Sequence, residues 1–316
     1  MLILVLPRQC GVIEAMGAFQ TVALVGRFRS SGIEQTLDRI EIFLRERGLA
    51  VFRPAGSAEH AGDVKSIVSR SGSTTDLPID LAIVVGGDGT MLGIARELAP
   101  WGVPVIGINH GRLGFMTDIP LDRWTEALAA ILDGHYEAEE RTLLDACVLR
   151  DPDSLIPFRA RALNDVVIGR GLVGRMIELN VEVDGKFMYT QRADGLIIAT
   201  PTGSTAYALS ANGPILHPQL SGIVLVPVAP QALSNRPIVL PDTCKVTVRI
   251  GDETDARVNC DMQTFSDLHP GDRIVIERSA HRIRFLHPSG YSYFATLRGK
   301  LAWQALPVLS ARPQSP

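Results

Sequence analysis

The sequence carries no surplus of positive charge. Its 31 Lys and Arg are outnumbered by 34 Asp and Glu among 316 residues, for a formal net charge of -3, so no global field draws it to a nucleic-acid backbone or an anionic membrane. Any phosphate it binds must be held by local donors. Cysteine is sparse: Cys10, Cys147, Cys244 and Cys260 form no CxxC and no metal-ligand spacing, and each reads as a small apolar side chain. The seven histidines show neither HExxH nor HxH, which argues against a zinc enzyme. Long apolar runs are missing too. The run from Met1 to Leu6 stops at Pro7 and Arg8, short of the roughly 7–15 residues of a secretory segment or the roughly 20 of a membrane span. The expectation is a cytoplasmic protein, with residues 1–17 a disordered extension or a stretch upstream of a real start at Met16.

What is present is ordinary globular composition, 46% apolar and 21% charged, in a chain long enough for about two domains. The first half alternates strand and helix signals. Thr21 to Val25 is a short apolar run; Ile33, Leu37, Ile40 and Leu44 recur at helical spacing before Gly48; Leu49 to Phe52 reads as a second strand. The Gly-, Ser- and Thr-rich stretch from Pro54 to Asp76 reads as a mobile segment. Ile79 to Val85 is the next strand, followed by a helix from about Thr90 to Leu98, a strand from Val103 to Ile108, and a helix from about Leu121 to Leu132. This alternation predicts a doubly wound, mostly parallel sheet.

From Tyr136 the pattern changes to short β-rich segments with tight turns. Asp184-Gly185 between two alternating runs predicts a hairpin, and Val246–Val248, Arg257–Asn259, Ile274–Ile276 and Ile283–Phe285 read as further strands. A helix is expected near Ser204-Thr205, and a last one from about Tyr291 to Trp303. The expected architecture is therefore an α/β domain over 18–135, joined by a returning C-terminal helix within about 287–306. A predominantly β, sandwich-like domain covers 136–286, and 307–316 form a tail.

Three constellations carry chemistry. The loop Gly86-Gly87-Asp88-Gly89-Thr90 follows a buried strand and opens a helix, the place where open α/β sheets bind ligands. Its glycines let backbone N–H groups approach a phosphate, and the helix start adds partial positive charge. Asp88 reads either as a turn or capping residue or as a general base beside a transferring phosphoryl group. The segment Thr200 to Ser210 again runs from an apolar strand through Gly203 into a helix; its five hydroxyls read as a neutral cradle for an anion and a ribose, with Tyr207 free to stack on a base. Asn164-Asp165, ahead of Val166-Val167-Ile168, could bracket two ribose hydroxyls, although alone it is a common turn dipeptide.

Taken together, these segments resemble the NAD kinase family. The residues that carry the likeness are the GGDGT loop, Asn109 to Phe115, Asn164-Asp165, Gln191 to Gly195, Thr200 to Ser210, Gly213-Pro214 and Tyr291 to Phe294, in order from about residue 20 to 303. The resemblance implies transfer of the γ-phosphoryl group of ATP to the 2′-hydroxyl of the adenosine ribose of NAD, with a divalent cation, Mg²⁺, on the phosphates. It implies Asp88 as proton acceptor and Gly89 as its neighbour at the ligand. Asn164 and Asp165 match the pair that contacts NAD, Asp165 being one methylene shorter than the Glu found in other members. Thr205, Ala206, Tyr207, Ala208, Leu209 and Ser210 match the adenosine-binding helix start, Phe115 the aromatic of the adenine pocket, and Arg175, Arg192, Asp194 and Gln263 further ligand contacts. No metal ligand is assigned. The resemblance also implies a homodimer or homotetramer. Two alternatives share some of these features. A lipid or sphingoid-base kinase has a similar loop but calls for a membrane-binding surface, and no basic amphipathic helix is evident here. A regulatory NAD(P)-binding module would need no acid at position 88.

Overall fold

The computed structural model describes residues 19–26, 31–54, 78–111, 114–150, 158–171, 175–251 and 256–303. The expected N-terminal extension, most of the stretch from Pro54 to Asp76, and the tail lie outside them. Four parallel strands form in the order β2 (Ala50–Phe52), β1 (Thr21–Gly26), β3 (Leu81–Gly86), β4 (Val105–Asn109). A short fifth, β5 (Ile119–Pro120), pairs parallel with the end of β4. All six residues of β1 and of β3 are buried, as parallel strands covered on both faces must be. One face receives α1 (Ser31–Glu46) and α3 (Trp124–Leu132), the other α2 (Asp88–Leu98). The spacing of Ile33, Leu37, Ile40 and Leu44 puts all four on the buried stripe of α1, each contributing about 1.5–3 kcal/mol of burial. Two helices begin later than the sequence suggests: α3 at Trp124, and the C-terminal helix α5 (Tyr293–Leu301) at Tyr293, capped by Ser292.

The second half is a sandwich. A sheet of β13 (Ile238–Pro241), β12 (Gly222–Val228), β11 (Gly195–Ala199), β8 (Asp165–Arg170), β15 (Ala256–Cys260) and β16 (Thr264–Leu268), paired antiparallel in that order, is one layer. β9 (Ile177–Val183), β10 (Lys186–Ala193), β14 (Val246–Ile250) and the first half of β17 (Arg273–Pro288) belong to the other, with β6 (Tyr136–Leu149) and β7 (Arg159–Ala162). Alternate residues such as Val166, Ile168, Leu196, Ile198, Val246 and Val248 fill the space between the layers, the period of two that a pleated strand imposes. The Asp184-Gly185 hairpin is present, with Lys186 opposite Val183.

The sequence pattern does not foresee that the two sheets of the α/β and sandwich halves are one. β17 runs 16 residues. Its first part pairs antiparallel with β14 over Arg273–Ile276, and near its end Phe285 pairs parallel with Val105 of β4. Along its other edge β6 follows it from Arg273 to Pro288, with one irregularity between Arg278 and Arg282. The parallel sheet and one sandwich layer thus share a strand.

Candidate active site

Backbone geometry comes first. Gly87 is extended (φ -108, ψ 179) and Asp88 is the first residue of α2, so the leading N–H groups of the helix have no partner within it and point outward. Nothing lies within 4 Å of where a Cβ would stand on Gly87 or Gly89, which leaves this backbone open to a ligand. The Asp88 carboxylate is turned to the loop after β4. Oδ2 accepts from the Phe115 N–H at 2.7 Å; Oδ1 accepts from the N–H of Met116 (3.1 Å) and Thr117 (3.2 Å) and from the Thr117 hydroxyl (3.2 Å). Gly114 is required for this approach, because a Cβ there would overlap the carboxylate. Asp88 therefore organises a turn. A carboxylate offers about four lone-pair positions, and Oδ2, with a single bond, retains the acceptor position from which a proton could be taken.

Asn164 and Asp165 stand where β8 begins. Asp165 is 2% exposed, and burial, with the charge of Asp261 second, pushes its carboxyl up to about 7. Burial raises Asp261 as well, but its carboxylate accepts from the N–H groups of Leu163 (2.9 Å), Asn164 (2.8 Å) and Asp165 (3.2 Å) and lies 3.3 Å from Arg96 Nη1. Those donors lower Asp261 against its burial, so of the two carboxyls it is the better placed to hold a negative charge. The side-chain oxygen of Asn164 is buried without a hydrogen-bond partner, which is uncommon for such an atom and fits an acceptor awaiting a ligand donor.

The hydroxyl-rich segment differs from expectation. It forms a 3₁₀ turn, Gly203–Thr205, and a single helical turn, α4 (Tyr207–Ser210). Most of its hydroxyls are spent inside the protein. Thr200 donates to the Leu163 carbonyl at 2.6 Å, Ser204 to Pro201 at 2.6 Å and Thr205 to Thr202 at 3.1 Å; Thr202 accepts from Arg141 at 3.2 Å. Such local bonds compete with helix formation, which explains the short α4. Ala208 is buried against Val167, Ala199 and Leu216, while Tyr207 is 41% exposed and Ser210 lies at the surface. What the segment offers a ligand is Tyr207, Ser210 and backbone.

Its value to the Asn164-Asp165 pair is positional. The Thr200 N–H donates to the Asn164 carbonyl at 2.9 Å, and a Cβ on Gly203 would overlap that same peptide. Gly203→Ala should consequently destabilise the fold by roughly 1–3 kcal/mol, the usual cost of an overpacked core. Urea unfolding of the two proteins measures this, and an unchanged midpoint would mean the turn has room to move.

A buried polar chain supports Thr202. Arg141 Nη2 donates to Glu139 at 2.9 Å; His287 Nδ1 is 3.0 Å from Asp118, its Nε2 is 3.5 Å from Glu139, and Tyr291 stacks on the ring at 3.8 Å. Burial lowers the His287 pKa, but the two carboxylates outweigh it and the net shift is upward; Glu139 shifts down, burial being outweighed by His287 and Arg141. Helix α5 closes the same region: Tyr293 OH donates to the Leu216 carbonyl at 3.4 Å, and Lys300 Nζ lies 5.7 Å from the Phe115 ring.

Of the remaining expected residues, Arg175, Arg192 and Asp194 are separated from these, and Gln263 is not. Asp165 pairs with Ala199 and Gly169 with Gly195, so Asp194 lies opposite Arg170 at the far end of β8, about 17 Å along the strand from Asp165. There it pairs with Arg170 at 3.3 Å. Arg192 pairs with Glu178 at 2.9 Å, and Arg175 is exposed. Gln263 has both ends of its amide engaged: Nε2 donates to the Gly89 carbonyl at 2.8 Å and Oε1 accepts from Arg96 Nη2 at 2.9 Å. Sequence reasoning passes over Arg96, Asp261, Arg141 and His287, most of whose partners lie far along the chain.

An α/β unit with a glycine-rich loop at a helix start, sharing a sheet with a β sandwich whose buried carboxyl pair faces that helix, defines a two-part nucleotide-binding protein. Comparison with known proteins gives the family. Residues 22–136 match the ATP-NAD kinase N-terminal domain and residues 163–288 the ATP-NAD kinase C-terminal domain. The chain is 54% identical over 293 residues to the NAD kinase of Bordetella parapertussis, covering 92% of this chain and 97% of that one. It is 53% identical over 289 residues to the NAD kinase of Burkholderia thailandensis, with 92% and 96% covered. Among solved structures, an NAD kinase from Archaeoglobus fulgidus in complex with ATP superposes with a TM-score of 0.69 at 28% identity, covering 90% of this chain and 99% of that one. Yeast NADH kinase complexed with NADH shares the fold with a TM-score of 0.82 at 22% identity, over 94% and 91% of the two chains. The chain belongs to the ATP-NAD kinase family.

Proposed function

We propose that this protein is an ATP-dependent NAD kinase, moving the γ-phosphoryl group of ATP to the 2′-hydroxyl of the adenosine ribose of NAD. The observation that carries the reading is the pairing of an open glycine backbone at the start of α2 with the orphaned Asn164 oxygen and buried Asp165 at the start of β8. The first suits phosphates, the second a vicinal pair of hydroxyls. Asp88 Oδ2 takes the proton from the acceptor hydroxyl, an assistance that typically contributes about 10²–10⁴-fold. The N–H groups of Gly87 to Gly89 stabilise charge on the phosphoryl oxygens in place of a lysine. Tyr207 and Phe115 supply flat faces for the base. Arg175, Arg192 and Asp194 lie apart from this centre and are assigned to the nicotinamide end of NAD, or to a site completed by a second copy of the chain in a homodimer or homotetramer.

Among the described residues no three His, Cys, Asp or Glu side chains converge into a metal cage. A divalent cation, Mg²⁺ in this reading, would be held by the ATP phosphates with one or two carboxylates and would neutralise charge there. No helix of the described residues is long and apolar enough to cross a membrane.

The test uses purified protein with ATP, Mg²⁺ and NAD, following NADP through an NADP-specific dehydrogenase. NADP should form, and an NAD analogue lacking only the adenosine 2′-hydroxyl should inhibit without accepting label from γ-labelled ATP. Label on the 2′-deoxy analogue would show that the acceptor atom is misassigned. Label on diacylglycerol, with none on NAD, would replace the reading by a lipid kinase.

A further inference from the structure

Phosphoryl transfer gains its rate chiefly from alignment, so a structure that performs it must fix the acceptor relative to the base. In the proposed function, on which this inference rests, the base is on α2 of one sheet layer and the acceptor's hydrogen-bonding pair is on β8 of the other. The turn between β15 and β16 connects them. Asp261 and Met262 both have left-handed backbone there (φ 55 and 54), a conformation disfavoured for such residues. The turn faces one side of α2: Gly89, Gly93 and Arg96 stand at i, i+4 and i+7, and the nearest atom to a Cβ on Gly93 would be Gln263 Oε1 at 3.3 Å. Gln263 bonds the Gly89 carbonyl, one residue from Asp88, and receives Arg96. Arg96 also reaches Asp261 Oδ2 at 3.3 Å, and Asp261 in turn receives three successive N–H groups, those of Leu163, Asn164 and Asp165. The Asp261 N–H returns a bond to the Asp165 carbonyl at 3.0 Å. Arg96 is 11% and Asp261 0% exposed at the side chain, so the pair is little screened.

We propose that Arg96 and Gln263 are positioning residues: acting through the 261–263 turn, they set the separation between Asp88 and the Asn164-Asp165 pair, and hence the alignment of the acceptor hydroxyl with the base. Arg96 does this with a forked donor set that serves Asp261 and Gln263 together, which the point charge of a lysine does not reproduce. Neither residue touches the reacting atoms.

The experiment is a kinetic cycle on the full-length protein. Arg96→Ala should lower kcat roughly 10- to 100-fold, the scale of an ångström-level misplacement, with the KM for ATP nearly unchanged. Arg96→Lys should recover part of that loss. In the Asp88→Asn background, Arg96→Ala should cost less than about threefold, because the alignment it serves no longer matters; effects on residues acting as a unit do not add. Equal losses in both backgrounds, or a lower melting temperature with kcat intact, would overturn the proposal. Where Arg96→Ala leaves buried Asp261 uncompensated and does not fold, Gln263→Ala decides. That side chain is exposed, so folding is retained, and kcat should fall at least about fivefold at an unaltered melting temperature and with the KM for NAD near wild type, whereas loss of a direct ligand contact would raise that KM and overturn the positioning role. Unchanged kcat in Gln263→Ala and Arg96→Lys would sink the positioning role while leaving the kinase reading intact. A wild-type protein that phosphorylates no NAD would end both.

Discussion

Asp88→Asn lowers kcat by two or more orders of magnitude while NAD still binds. Two losses combine in that number. The amide cannot take the hydroxyl proton, which removes about 10²–10⁴-fold. It also offers one acceptor oxygen where the carboxylate offers two, and the four donors from Phe115, Met116 and Thr117 must be served by it. The amide NH₂ would meet an N–H head-on, so part of the 114–117 turn is released. The two effects separate by measurement. Loss of the base alone leaves the melting temperature and the dissociation constant of NAD near wild type, while loss of the turn moves both. Near-normal turnover would leave Asp88 as the anchor of a loop and nothing more.

The second large effect belongs to Asp165. Its carboxyl, pushed to about 7 by burial and then by Asp261, is neutral in mildly acidic solution and charged above it. Ribose hydroxyls are held most strongly by the charged form, so kcat/KM for NAD should rise with pH and level off above about 7. Asp165→Ala should raise the KM for NAD, lower kcat, leave the KM for ATP little changed and abolish the pH-dependent limb. The loss in kcat/KM should be roughly 10- to 100-fold, the worth of a charge-assisted hydrogen bond of about 1.5–3 kcal/mol. Stability runs the other way. Since the folded carboxyl titrates above its unfolded value of 3.8, its contribution is fully present below pH 3.8 and lost as pH rises through about 7. Asp165→Asn, which keeps the shape and never charges, should therefore be more stable than wild type at pH 8 and less active. Equal rises in both KM values with a fall in stability would instead make Asp165 part of a structural turn.

The parts of this fold that are legible in the sequence are those where burial is total. β1, β3 and β4 are continuous apolar runs because helices cover both faces, and the GGDGT loop follows directly. β12 is absent from the sequence expectations because Pro227 interrupts it; the proline stands opposite Leu196 of β11 but beyond the reach of β13, which pairs only with Gly222–Leu225, so on that edge no N–H is called for. β6 and β17 look fragmentary because their charged residues, such as Arg278, Arg282 and Arg284, alternate or bend outward along one long ribbon. The candidate site divides in the same way. Asp88 and Asp165 sit in local motifs that a sequence displays. The bonds that relate them run through Arg96 and Asp261, 165 positions apart, and no local pattern encodes such a pairing. The hydroxyls of Thr200 to Thr205 are as abundant as the sequence shows, but their partners lie inside the protein: carbonyls of the same turn and of Leu163, and the Arg141 guanidinium at Thr202.

The strand shared by the two halves bears on how the chain is made. During synthesis the parallel sheet emerges first, yet the edge of β4 must wait for Phe285, some 180 positions later, before its last neighbour arrives. The nascent α/β half thus leaves the ribosome with an open border, and closing that border requires a loop far longer than any within the half itself. The same strand that delays completion also ties the halves together afterwards: because β17 pairs with β14 at one end and with β4 at the other, swinging one half against the other would have to bend that strand.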